Sequence, residues 1–373
     1  MDIREGLEVR TGRLTVTGVT ARPVVLRLER PIVARIATIT EWPVILVDLH
    51  TAQGIVGRSY LEPYTVRAMK YLVPAVQDLG EVLRGRKVSP VELYGLARKS
   101  LHFVGYEGMS MIAVSAIDMA AWDALAKAVG VPLCVLLGGS VGRVPAYNSN
   151  GLWLKDPSAL GEEAIALREE GDFKALKLRL GRERPRDDVA AIESVRHAVG
   201  EDMRLMADFN QGLNRAEAIE RCHMIDGEGL EWIEEPLVYD DLEGHAQLAS
   251  QLATPIQIGE NFYGPRALQA AIERRACDLV MPDFMRIGGV TGWLRAAAIA
   301  GTAGVPMSTH LYPEVAAHVM RVTETGHWLE WQDWIEPLLA TPYRMVDGSL
   351  EIPDVPGVGL EWDEERVASC MQG

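Results

Sequence analysis

Leu205-Met206-Ala207-Asp208, Leu230-Glu231-Trp232-Ile233-Glu234 and Pro255-Ile256-Gln257-Ile258-Gly259-Glu260 are three short, largely apolar runs, each closed by a carboxylate. The closing residues recur at 26-residue intervals, from 208 to 234 to 260. One strand, one helix and two short loops consume about this much chain, so a βα unit repeated at that pitch carries each carboxylate to the same rim of one parallel sheet. Asp208, Glu234 and Glu260 together describe a site for a hard divalent cation. Oxygen ligands with open positions suit Mg²⁺, which keeps waters or substrate oxygens at its remaining octahedral corners.

The alternation of strand and helix extends outward from these runs. Strands are expected near 146–149, 175–180, 204–209, 230–234, 256–260, 279–283, 306–310 and 328–330. Eight strands, each followed by a helix, are the pattern of a (β/α)₈ TIM barrel, placed here at residues 136–340, with its chemistry at the C-terminal strand ends. Residues 1–135 read as a separate α+β domain. Leu14–Val19 and Val24–Leu28 are strand-like, and Val44–Leu49 with Gly54–Gly57 reads as a hairpin. About three helices follow between Val66 and Val129, the last stopped by Gly130-Val131-Pro132. Pro31 to Trp42 reads as a loop long enough to cover something. The segment 341–373 carries a hairpin signal at Asp347-Gly348 and is expected to pack back on the first domain.

Composition narrows the class of function. The 373 residues are 48% hydrophobic and 24% charged, ordinary values for a globular enzyme. The formal charge of −15 repels phosphate backbones and anionic lipid, so neither nucleic acid nor a membrane is an expected partner. Cys134, Cys222, Cys277 and Cys370 are scattered without C-x-x-C spacing, which suits a reducing compartment. Met1-Asp2-Ile3-Arg4-Glu5-Gly6 has no apolar signal core, and a cytoplasmic location is expected.

Polar residues at the other expected strand ends join the trio on one rim. Asp283 and His310 close neighbouring strands, where Asp283 can accept the imidazole Nδ1–H and leave Nε2 facing the cleft as a base; the alternative is an ordinary buried pair. Lys177 and Arg179 alternate with Leu176, Leu178 and Leu180, so both cations point into the barrel. Lys177 would meet a substrate carboxylate or act as a base with a lowered pKa, or the two cations form an internal salt-bridge layer. Asn210 and Glu330 complete the rim. Arg286-Ile287-Gly288-Gly289 is explained by a helix start, and Trp328, Trp331 and Trp334 read as packing.

The motifs Lys177-Leu178-Arg179, Asp208-Phe209-Asn210, Glu234-Glu235-Pro236, Gly259-Glu260-Asn261, Met281-Pro282-Asp283, Thr309-His310-Leu311 and Trp328-Leu329-Glu330 stand in this order along the chain. Over nearly its whole length the sequence resembles the mandelate racemase subgroup of the enolase superfamily. The resemblance implies a barrel with an N-terminal α+β capping domain, a Mg²⁺ cofactor on Asp208, Glu234 and Glu260, and a His310–Asp283 acid/base dyad. It also implies substrate contacts from Asn210 and Glu330, and a small-molecule hydroxy acid as substrate with homo-oligomeric assembly. The chemistry implied is removal of the proton α to a carboxylate through an enediolate. One position departs from the pattern: the second lysine of Lys-x-Lys, which serves the opposite face of the α-carbon, is Arg179. Guanidinium is a poor base, which favours chemistry run from His310 and hence dehydration of an acid sugar to a 2-keto-3-deoxy acid. Racemisation or epimerisation of a 2-hydroxy acid, with Lys177 as second base, is the alternative. The stretch Arg58 to Tyr64 lies in the capping domain, and Glu62 and Tyr64 are its candidate substrate contacts.

Overall fold

The computed structural model describes residues 14–371; the N-terminal stretch Met1 to Gly6 and the last two residues lie outside them. A three-stranded antiparallel sheet opens the fold: β1 (Val16–Val33), β2 (Thr38–Thr51) and β3 (Val56–Leu61) in that order. β1 and β2 form one long ladder that runs to Val33↔Thr38. The segment 31–42, expected as a loop, is therefore mostly the end of this hairpin, with Ala34 and Ala37 exchanging backbone hydrogen bonds at its tip. Its alternation is hidden because the tip lies outside the core, where Arg35, Ile36, Ala37 and Thr38 are all exposed, apolar and polar alike.

Three helices cover the sheet: α1 (Val66–Leu83), α2 (Pro90–Ser100) and α3 (Met109–Val129). Thr65 caps α1 by accepting from the Ala68 N–H, and Gly130, at φ +83°, ends α3 in the left-handed conformation. α3 is long and apolar enough to cross a membrane by composition, but 78% of its most apolar window is buried here. It is a core helix, packed so close to β3 that a Cβ on Gly57 would stand 2.0 Å from the Ala120 carbonyl. Its other face carries Asp118 and Trp122 to the barrel, where they bind the backbone N–H and hydroxyl of Thr291 at 2.8 and 2.9 Å.

The barrel is closed by parallel pairings from β4 (Arg143–Asn148) through β5 (Ala175–Arg179), β6 (Arg204–Asp208), β7 (Ile233–Glu234), β8 (Ile256–Ile258) and β9 (Leu279–Val280), and by β10 (Leu329–Trp331) returning to β4. The seventh position, 306–310, is held by isolated bridges, Val280↔Met307 and Asp283↔His310 on one side and Met307↔Gly326 on the other. Several strands are shorter than expected, although single backbone hydrogen bonds such as Phe209 N–H to Glu234 and Met281 N–H to Ile258 continue the pairing at the rim.

The C-terminal segment departs from expectation in its first half. β11 (Arg344–Val346) and β12 (Ser349–Glu351) form the anticipated hairpin, with Asp347 and Gly348 both at positive φ. β12 then pairs antiparallel with β4 and so extends the barrel sheet rather than the first domain. Only beyond it does the chain return to the capping domain, where Trp362 donates to Asp48 and Arg22 meets Glu364 at 2.6 Å.

Candidate active site

Parallel register sets the rim. Arg179, Asp208 and Glu234 are partners across β5, β6 and β7, so their side chains start from one level of the sheet. Lys177 lies one layer deeper, buried, with its Nζ 2.7 Å from Glu234 Oε1, 2.7 Å from Glu330 Oε1 and 3.6 Å from Asp208 Oδ2. Arg179 Nε approaches Asp208 Oδ2 at 3.4 Å, and its Nη2 donates to Ser149 Oγ.

Across the barrel, His310 Nδ1 sits 2.8 Å from Asp283 Oδ2, while Asp283 Oδ1 accepts the Met285 N–H. The carboxylate thus fixes the ring and directs Nε2 to the opposite side, where it lies 3.2 Å from Glu260 Oε2 and 3.3 Å from the Tyr64 hydroxyl. Asp208, Glu260, Asn210, Arg179, His310 and Tyr64 all line one cavity of about 100 Å³. The hairpin tip forms its lid-side wall, through Ile36, Ala37 and Ile39.

Burial and charge act against each other throughout. Burial pushes the Glu234 carboxyl up to about 8, reinforced by the charge of Asp208 and only partly offset by Lys177. Glu260 is equally buried, yet the facing His310 and Arg286 bring it down to about 2. Burial lowers the affinity of His310 for a proton, but Glu260, Glu330 and Asp283 outweigh it and hold the imidazole well above its usual range. Burial opposes the Lys177 charge too, and Glu234 and Glu330 overcome it, so its ammonium is held above the ordinary range. The lowering expected for Lys177 from Arg179 and the metal is opposed here by the two carboxylates at 2.7 Å, which outweigh Arg179.

The three carboxylates do not meet at a single point. Each is turned toward a protein cation, Asp208 to Arg179, Glu234 to Lys177 and Glu260 to His310, and no ready-made cluster of three His, Cys, Asp or Glu ligands occurs among the described residues. As a donor set they are nonetheless all carboxyl oxygens crowded at one buried rim, the chemistry a hard divalent cation answers, and such a cation would hold Glu234 ionised against its burial. Asn210, held at φ +45°, donates to Asp208 from both its backbone and its amide. Glu330 stands beneath, binding Lys177 and accepting the Leu311 N–H.

The model for the mandelate racemase/muconate lactonizing enzyme N-terminal domain matches residues 16–138, and the enolase C-terminal domain-like model matches 159–366. The chain belongs to this family. A curated family relative, the L-talarate/galactarate dehydratase of Salmonella typhimurium, is 32% identical over 88% of this chain and 82% of its own. An enolase from alpha proteobacterium bal199, solved with bound magnesium, is 60% identical at a TM-score of 0.95, covering 96% of this chain and all of that one. Another from Bradyrhizobium, complexed with magnesium and mandelic acid, is 40% identical at a TM-score of 0.92, over 97% and 99% of the two chains.

Within this family member some residues fall elsewhere than expected. Arg58 to Leu61 belong to β3, and Glu62 lies buried behind Trp42, accepting its indole N–H at 2.7 Å, and does not itself line the cavity. Others were missed. Arg286, read as part of a helix start, donates to the Glu260 carbonyl and lies over the Tyr64 ring at 5.1 Å. Trp334, read as packing, walls the cavity with Trp153 and Gln332. The available signal was position: all four follow barrel strands on the chemical rim, Trp153, Gln332 and Trp334 in loops and Arg286 in the short helix Phe284–Ile287.

Proposed function

We propose that this protein is a Mg²⁺-dependent acid-sugar dehydratase that converts a 2,3-dihydroxy acid into a 2-keto-3-deoxy acid. The observation that carries the reading is the Asp283–His310 pair, oriented so that Nε2 faces the cavity opposite Arg179, a residue that cannot serve as a second base. The similarity to a talarate/galactarate dehydratase supports the substrate class. Asp208, Glu234 and Glu260 are the ligands the reading assigns to Mg²⁺, with Asn210 and Glu330 beside them. Bound Mg²⁺ supplies the positive charge that makes a second negative charge on the substrate carboxylate accessible.

With Glu260 committed to Mg²⁺, its charge would no longer hold a proton on the imidazole, leaving His310 Nε2 free to take the α-proton; the C–H electron pair then moves into the carboxylate as an enediolate. The resulting imidazolium is steadied by Asp283. The enediolate electrons return to form a Cα–Cβ double bond as the β-carbon–oxygen bond breaks, and the same proton leaves with that oxygen as water. The enol product then tautomerises to the 2-keto acid. Tyr64, at 3.3 Å from Nε2, is placed to hold the departing hydroxyl. Lys177, kept charged by Glu234 and Glu330, provides fixed positive charge under the substrate carboxylate rather than a proton acceptor.

A racemase of a 2-hydroxy acid is the second reading, favoured by the mandelic acid bound in the Bradyrhizobium enzyme. Incubation with Mg²⁺ and a panel of acid sugars in D₂O separates the two. Formation of a 2-keto-3-deoxy acid is expected; deuterium in both enantiomers of recovered substrate, without keto product, would instead establish racemisation. A cytoplasmic homo-oligomer is the accompanying inference, the location suited by four free cysteines.

A further inference from the structure

One wall of the cavity holds polar atoms that the protein itself leaves unsatisfied. Trp153 Nε1, Arg179 Nη1 and Gln332 Oε1 have no hydrogen-bond partner among the described residues. Their residues are only 1%, 4% and 5% exposed, and all three line the cavity that His310 faces. Buried groups of this kind cost about 1–3 kcal/mol each when left unmet, so three on one wall call for an explanation. Incidental packing is a poor one. The indoles of Trp42, Trp122, Trp232, Trp293, Trp334 and Trp362 each donate to a side-chain oxygen, and Trp153 does not.

The wall is also built to stay in place. Leu152 accepts the Arg179 N–H and Leu154 donates to the Val33 carbonyl, so Trp153 is clamped between the barrel and the end of β1. The Arg179 guanidinium lies 4.3 Å over the Trp153 ring, and its Nη2 is anchored on Ser149. Gln332 directly follows β10, whose Trp331 carbonyl accepts the Ser149 N–H.

We propose that Trp153 and Gln332, continuing the wall from Arg179 at the α-carbon face, form with it a subsite that hydrogen-bonds the substrate's hydroxyls up to and beyond C3, selecting polyhydroxy acids over acids with an apolar or aromatic tail. Two donors and one acceptor match a pair of hydroxyls, which accept from the indole and guanidinium N–H groups and return one hydrogen to the Gln332 oxygen. An apolar tail leaves all three groups buried and unpaired, the arrangement that discriminates most strongly against a substrate lacking a hydroxyl. The assignment presupposes the dehydratase reading.

The test compares the wild-type enzyme, Trp153→Phe and Gln332→Met, with Mg²⁺, on a C5 or C6 acid sugar and on analogues deoxygenated one carbon at a time beyond C3. Trp153→Phe keeps the ring and removes only the donor. A rise in KM of about tenfold or more, with a smaller change in kcat, is expected for each variant on the full substrate, together with a matching loss when wild-type enzyme meets the corresponding deoxy analogue. The wild-type arm holds even where a variant fails to fold. Wild-type enzyme that turns over the full and deoxy substrates with KM values within twofold overturns the subsite and leaves the dehydratase standing. Wild-type enzyme inert toward every acid sugar overturns both.

Discussion

Two regions bury carboxyl groups to the same degree and treat them in opposite ways. At the barrel mouth Glu260 faces His310 and Arg286 and is brought down to about 2. At the seam between the capping domain and the barrel, Glu62 and Glu314 meet only neutral donors, the Trp42 indole and the Tyr60 hydroxyl. There burial prevails, and the two are pushed up to about 8 and about 7. Charge is concentrated where chemistry needs it and suppressed where the two domains must stick. Glu234 shows the boundary between the regimes: it touches Lys177, yet burial and the charge of Asp208 still push it up to about 8.

Substitutions at the mouth should therefore cost activity while sparing the fold, and those at the seam the reverse. The largest effect is expected at His310. His310→Asn should lower kcat by roughly 10²–10⁴-fold with little change in thermal midpoint, checked by steady-state kinetics beside a melting curve. Retention of full activity would remove the dyad from the mechanism and erase the distinction between the regions.

Next comes the pH dependence of the seam. Glu314 has a folded-state pKa raised from 4.5 to about 7, so between these values the folded protein binds a proton that the unfolded chain has released. Its contribution to stability is complete below pH 4.5 and is lost as pH rises through about 7, a change of up to roughly 3 kcal/mol. Glu314→Gln should flatten the slope by that amount in denaturant titrations run across the window, leaving the share of Glu62. Identical slopes in the two proteins would show that Glu314 titrates normally.

Gly289→Ala should destabilise the protein by roughly 2 kcal/mol, since its φ of +65° is strained for alanine and the new Cβ would stand 2.6 Å from Asp118 Oδ2. Trp122→Phe, which removes one hydrogen bond to Thr291 across the seam, should cost about 1 kcal/mol. Both are read from denaturation midpoints, and a reversed order would mean that close approach matters less than the hydrogen bond.

How far the sequence could be read follows the same division. The mouth was legible because βα repetition sends every strand-closing residue to one rim, so Asp208, Glu234, Glu260, Asp283 and His310 could be placed from spacing and local pattern alone. Contacts made by long-range folding were not. Nothing local marks Asp118 as the partner of Thr291, Glu62 as the acceptor for Trp42, or β12 as a neighbour of β4. Trp153 and Gln332 sit in loops whose direction is set by pairing with other segments, and the hairpin tip owes its ladder to a partner strand rather than to its own alternation. The two carboxylates that oppose a lowered Lys177 pKa are equally hidden from local reading, since they act through side-chain distances to Glu234 and Glu330.

The assignment of Asp208, Glu234 and Glu260 as joint Mg²⁺ ligands is tested most directly by calorimetric titration of Mg²⁺ into the wild-type protein and into Asp208→Asn, Glu234→Gln and Glu260→Gln. The wild type should bind one ion per chain, and each amide variant should lose more than about 100-fold in affinity, since even outer-shell partners are worth 10–100-fold. Three variants that bind Mg²⁺ as the wild type does would contradict it.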